Sequence, residues 1–270
     1  MDKRMTKHLK EFFTYKKELV TFSSFPDDFK FKNIISFDDI RVDFQLSFNK
    51  YKIPKLENDS TLQYLQKIFK WILENLKHDG YTKYRGKLYG NQILKYVIDE
   101  GKGINCLMHA IILQEIFYQQ GVYAHIVQGN PSDYRIGDCH WLVNLYNREY
   151  QKWMLVDPVW LGFYVNEDNI PLDFFEIREY LVTGKKIIPN KEIKVGYYEY
   201  LLCRYLFFFG FFEKNGLGTF EIKNQQKYYL APEGFNSKKY IESKEKERFL
   251  PFDIKEYLYF SRFEEKSIHL

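Results

Sequence analysis

The chain has 270 residues, 45% hydrophobic and 28% charged. That is enough apolar material for one large domain, or a domain with a small attached lobe, and it excludes wholesale disorder. Forty basic residues against 36 acidic ones leave a formal charge of +4, spread over 31 Lys and 9 Arg with no basic stripe, so no nucleic-acid partner is expected.

Aromatic residues reach 19%, which implies extensive ring packing. Three cysteines, Cys106, Cys139 and Cys203, cannot complete a disulfide framework, and a reducing compartment is the simpler reading. The first residues are charged (Asp2, Lys3, Arg4), with no apolar export segment before Phe22. The greasiest run, 201–212, carries Arg204 and is shorter than the roughly 20 residues a spanning helix needs. No membrane association and a cytoplasmic location are expected.

A first helix is expected near Thr6–Leu19, followed by loosely alternating segments up to residue 60 that suit edge strands. Asp59-Ser60-Thr61 then caps an amphipathic helix with Leu62, Leu65, Ile68, Phe69, Ile72, Leu73 and Leu76 along its apolar stripe, ended by Asp79-Gly80. A shorter helix is expected from Asn91 to about Ile98. The next, Cys106 to about Gln119, is apolar around most of its circumference and should be central and buried, with Gly121 as its left-handed cap. Strands follow at Val122–Gln128, Trp141–Tyr146 and Lys152–Asp157, the last two forming a hairpin, and then a helix over Phe174–Thr183. This order predicts an α+β fold with an antiparallel sheet.

Cys106 opens the central helix. A thiol there faces free backbone N–H groups and the positive end of the helix dipole, both of which favour the thiolate. The competing reading is a buried packing cysteine. The hairpin adds weight to the first. A turn centred between Arg148 and Glu149 sets His140 opposite Asp157, Leu142 opposite Leu155 and Asn144 opposite Trp153. Opposed side chains share a face, so an imidazole and a carboxylate would meet at the open end of the hairpin. A neighbouring helix N-terminus could bring Cys106 to the other ring nitrogen, an activated Cys-His-Asp nucleophile.

Cys106, His109, Cys139 and His140 superficially resemble a zinc set. However, adjacent strand residues point to opposite faces, so no metal is expected. His109, His125, Cys139 and Cys203 read as packing residues. Asp133 and Asp138 read as turn chemistry.

Gly103-Ile104-Asn105-Cys106, Ala110 and Gly121-Val122-Tyr123-Ala124 resemble the nucleophile block of the transglutaminase-like superfamily. Asp138-Cys139-His140-Trp141 and Lys152-Trp153-Met154-Leu155-Val156-Asp157-Pro158 resemble its His and Asp blocks, and Ile177-Arg178-Glu179-Tyr180-Leu181 with Gly184 its continuation in bacterial members. The likeness spans about residues 62–190. It implies a papain-like α+β fold, the nucleophile helix packed on an antiparallel sheet, with Cys106 as nucleophile, His140 as general base and Asp157 as its orienting acid. It also implies acyl transfer or hydrolysis on a peptide or protein amide through a thioester, without a cofactor. Leu107 departs from the Arg frequent there in bacterial relatives. The backbone N–H of Cys106 is one candidate donor to the oxyanion, with Asn91 and Gln92 as further candidates; Asn91 is equally a candidate helix N-cap.

The expected organisation is an extension over 1–60, a catalytic core over 61–190 and an aromatic-rich extension over 191–270. The alternative function is a catalytically inactive member of the same fold that binds peptides or assembles partners.

Overall fold

The computed structural model describes residues 36–37, 42–131, 139–190, 204–212, 214–225, 227–230 and 249–252. The helix expected over Thr6–Leu19, the loop holding Asp133 and Asp138, and Cys203 lie outside them. In chain order the elements are strand β1 (Ser36–Phe37), helices α1 (Phe48–Tyr51), α2 (Thr61–Asn75), α3 (Gly90–Leu94, continued as a π turn over Lys95–Asp99) and α4 (Cys106–Gln119), and strands β2 (Ala124–Asn130), β3 (His140–Asn147), β4 (Lys152–Asp157) and β5 (Gly162–Val165). Helix α5 (Phe174–Thr183) and strands β6 (Ile188–Pro189), β7 (Phe208–Phe212), β8 (Lys214–Asn215), β9 (Lys227–Leu230) and β10 (Phe249–Phe252) complete the set. The main sheet has the order β10-β9-β7-β2-β3-β4-β5-β6, antiparallel throughout except for the β10–β9 pair. This is an α+β architecture.

Local chemistry sets the helix ends. Ser60 closes a capping box on α2: its hydroxyl accepts from Gln63 N while Gln63 Oε1 accepts from Ser60 N. Instead of running on to Asp79-Gly80, α2 ends at Asn75, because the backbone beyond is taken by another partner. Asp79 N donates to Ile104 O at 2.7 Å, and Ile104 N to Lys77 O at 2.9 Å. Leu73, expected in the apolar stripe, is 72% exposed.

Helix α4 occupies the residues the sequence indicates. Asn105 caps it by accepting from Met108 N. At its far end Gly121 adopts φ +72°, Gly121 N donates to Tyr118 O and Val122 N to Phe117 O. That double closure is a Schellman motif, and it uses residues the sequence assigns to the next strand. Strand β2 consequently starts at Ala124 and not at Val122.

The helix lies on one face of the sheet. Ile112, Leu113, Ile116 and Phe117 are fully buried and share a core with Ile126, Val143, Met154 and Val156. Each such side chain contributes about 1.5–3 kcal/mol of transfer free energy. On the opposite face Phe174 of α5 packs against Phe209 of β7, with ring centroids 4.4 Å apart.

Polar side chains of α4 tie in distant segments. Gln114 donates to Asn215 Oδ1. The fully buried Glu115 accepts from Gly90 N at 2.7 Å and from Gly218 N at 2.9 Å. Burial pushes its carboxyl from 4.5 up to about 8, against the pull of those two donors. The folded chain therefore keeps a neutral acid where the unfolded chain is ionised. The Glu115 contribution to stability is complete below pH 4.5 and declines as pH rises towards 8. Glu115→Gln, a neutral isostere, removes this dependence. Urea denaturation should find the variant, which offers one acceptor oxygen where the carboxyl offers two, less stable at pH 5, with the difference moving in its favour by about 1.4 kcal/mol per pH unit up to pH 8. A gap constant with pH would contradict the assignment.

Candidate active site

Cys106 is the first helical residue of α4, so its backbone N–H is among those with no partner inside the helix. Both Cys106 and Cys139 are free thiols of intermediate exposure. His140 opens β3 and pairs with Gly129 of β2. Asp157 closes β4 and pairs with Gly162 of β5. His140 Nε2 lies 2.8 Å from Asp157 Oδ2, and the two side chains are only 13% and 5% exposed.

The hairpin register differs from the expected one. Val143 pairs with Val156, Asn144 with Leu155 and Asn147 with Lys152. The connection is the four-residue loop 148–151, in which Asn147 Oδ1 accepts from Tyr150 N and Gln151 takes φ +51°. Continued outward, this register sets Leu142, not His140, opposite Asp157. The displacement is two residues, so side chains keep their face, and the imidazole reaches the carboxylate along the strand diagonal.

The carboxylate divides its work. Oδ2 takes the imidazole, while Oδ1 accepts from Val159 N at 2.9 Å and Trp160 N at 3.1 Å, pinning the turn after β4. Burial opposes ionisation of Asp157, but the His140 charge and hydrogen bond, with those two backbone donors, hold the carboxyl below its ordinary range. Burial likewise opposes the His140 cation. The Asp157 charge and hydrogen bond, aided by the Cys106 sulfur as acceptor, outweigh it and push the imidazole up to about 10. With Nε2 on Asp157, Nδ1 is the nitrogen left for sulfur. A thiol beside an imidazole that a carboxylate orients is an arrangement suited to nucleophilic attack on a carbonyl carbon.

Three neighbours carry no signal in the sequence pattern. Gly129 leaves room for the Tyr205 backbone, whose carbonyl oxygen would stand 2.5 Å from a Cβ at that position. The Tyr205 ring accordingly packs on His140 at 5.5 Å. His78, brought in by the pairing of 77–79 with Ile104, meets His109 at 5.8 Å between ring centroids. His109 itself is buried, one turn into α4.

Asn91 and Gln92 are not brought to this cluster. Asn91 lies inside α3, whose N-cap is Tyr89, so it is not a cap either; its amide serves Gln45 O and Ser47 N. Its neighbour Gly90 is bound to Glu115, nine residues beyond Cys106 and about 13 Å along the axis at 1.5 Å per residue. Gln92 lines a shallow surface pocket with Lys83, Tyr84, Lys95 and Glu100. His125 packs against Trp153 at 4.7 Å, and Cys139 against the main core. Among the described residues no three His, Cys, Asp or Glu side chains converge as a metal site requires. No described helix is long and apolar enough to cross a membrane.

Residues 51–158 match the family described as the transglutaminase-like superfamily. The matched segment, less than half of the chain, begins at α1 and ends one residue past Asp157. Over that segment the chain is similar to the transglutaminase-like superfamily. The 177–184 stretch falls outside it. One solved structure described as a TGase aligns at 11% identity, covering 58% of this chain and 33% of its own, with a TM-score of 0.28. The chain thus spans about a third of that neighbour's length, and so loose a superposition carries nothing about activity. No curated protein matches the sequence.

The two pKa shifts set a stability window. The raised imidazole stabilises fully below its ordinary 6.5 and loses its contribution as pH climbs through about 10. The lowered carboxyl stabilises above its ordinary 3.8 and loses its contribution in acid. Asp157→Asn should therefore cost about 3 kcal/mol near neutrality, read by urea denaturation. Its deficit against the parent protein should shrink above pH 10. A deficit independent of pH would mean that packing, not charge, is lost.

Proposed function

We propose that the chain is a cysteine enzyme acting on a peptide or protein amide in the cytoplasm, with Cys106 as nucleophile, His140 as acid and base, and Asp157 as the group that orients His140. The observation that supports this reading best is the buried 2.8 Å contact between His140 and Asp157, with Cys106 near enough to act on the charge of the same ring. The match of residues 51–158 to the transglutaminase-like superfamily supports the same chemistry.

The Cys106 sulfur attacks the carbonyl carbon, forming a C–S bond and moving the carbonyl electron pair onto oxygen. The N–H of Cys106, unused by the helix, is suited to receive that charge. His140 gives its proton to the leaving amine as the C–N bond breaks, and a thioester remains. Water or a second amine then attacks the thioester while His140 takes its proton, and as the carbonyl re-forms the C–S bond breaks and the sulfur leaves with its electron pair as the Cys106 thiolate. Hydrolysis is the favoured outcome because water is always at hand as acceptor.

Alkylation with iodoacetamide at pH 6–7 tests the triad without a known substrate. Peptide mapping should find Cys106 labelled at least about tenfold faster than Cys139 and Cys203, with the advantage lost in His140→Ala. Equal labelling of all three cysteines would contradict it.

A further inference from the structure

Asn91 and Gln92 stand away from Cys106, so the proposed oxyanion has one donor, the Cys106 N–H, where such sites commonly use at least two. His78 is anchored to the segment that leads into the nucleophile. The bridge between His78 and Ile104, with the two hydrogen bonds flanking it, fixes residues 77–79 to the segment two residues ahead of Cys106. The His78 ring meets His109 at 5.8 Å, tilted 48°.

His109 lies on the face of α4 that carries Cys106, and helical side chains lean toward the N-terminus, so its ring backs the surface beside the sulfur. It is 2% exposed, and neither ring nitrogen has a hydrogen-bond partner. His109 thus serves as an apolar support. His78, whose ring meets it, is exposed, and close enough to His140 and Asp157 for their charges to act on it.

We infer that His78 is a second donor to the oxyanion formed at the carbonyl that Cys106 attacks, an inference that rests on the nucleophile assignment above. The protein packed around one side of its ring, then the neighbouring His140, hold His78 below its ordinary 6.5 although its other side meets solvent. At pH 7 it is therefore a neutral imidazole with one N–H to offer. Neutral imidazoles polarise substrate carbonyls in this way in other enzymes. No proton changes hands. The N–H accepts a share of the negative charge while the C–S bond is present in the tetrahedral species. It is released when the C=O re-forms and the leaving group departs with its electron pair. An exposed donor that meets its partner only in that species stabilises the transition state more than the resting enzyme.

Two reagents separate this inference from the triad. Iodoacetamide alkylates the thiolate by displacement at carbon and forms no oxyanion; p-nitrophenyl acetate acylates it through one, releasing p-nitrophenolate. In His78→Phe the acylation rate should fall about 100-fold while alkylation of Cys106 changes less than about twofold. His78→Asn, which keeps an N–H donor, should recover part of the acylation rate. If Cys106 is selectively alkylated and His78→Phe acylates at the parent rate, His78 is not a donor and the triad stands. If both rates fall together, His78 supports the thiolate instead, and the inference is overturned. If Cys106 is not selectively alkylated in the parent protein, the nucleophile assignment fails first and this one with it.

Discussion

Two strand ends, His140 at the start of β3 and Asp157 at the end of β4, are held together by one charged contact of 2.8 Å that is almost sealed from water. Unpaired, either charge would be costly at that depth; paired, each holds the other in its ionised form. Asp157 also pins the turn that follows β4 through Val159 and Trp160, so breaking the contact would free a turn as well as a side chain. The candidate chemistry depends on this pairing, since a neutral, freely rotating imidazole would neither fix its tautomer nor hold a proton for a leaving amine.

Helix α4 relates that pair to the rest of the chain. Its first residue supplies the sulfur, and its middle turns reach Gly90, Asn215 and Gly218 through Gln114 and Glu115. Segments more than 100 residues apart are thereby keyed to the element carrying the nucleophile. A buried carboxyl on two backbone amides makes this a connection with little tolerance for substitution.

Elements whose boundaries are written in local chemistry were legible in the sequence. Helices α4 and α5 and strand β4 occupy the residues expected of them; Gly121 beyond α4 and a polar turn before β4 are signals in the sequence, and Asp173 and Gly184 cap α5 in the structure. The meeting of His140 with Asp157 was legible too, although through a register two residues away from the true one. Alternation fixes which face a side chain takes, whereas the number of residues in a turn fixes its partner, and the role of Asn147 in a four-residue loop has no periodic signature. Non-local features were hidden for the same reason. The arrival of His78 depends on a two-bond ladder to Ile104, and that of Tyr205 on the missing side chain of Gly129. Asn91 suited an oxyanion donor by residue type alone, and only the Gly90–Glu115 bond reveals that it sits well along α4 from the sulfur.

The state of the His140 ring at rest is the most direct test of this account. A long-range nitrogen–proton NMR spectrum of the labelled protein at pH 7.5 distinguishes an imidazolium, with both ring nitrogens protonated, from a neutral tautomer. Doubly protonated His140, with Nε2–H coupled to the Asp157 carboxylate, is the expected spectrum. A neutral, rapidly exchanging ring with no tie to Asp157 would contradict the account at its base.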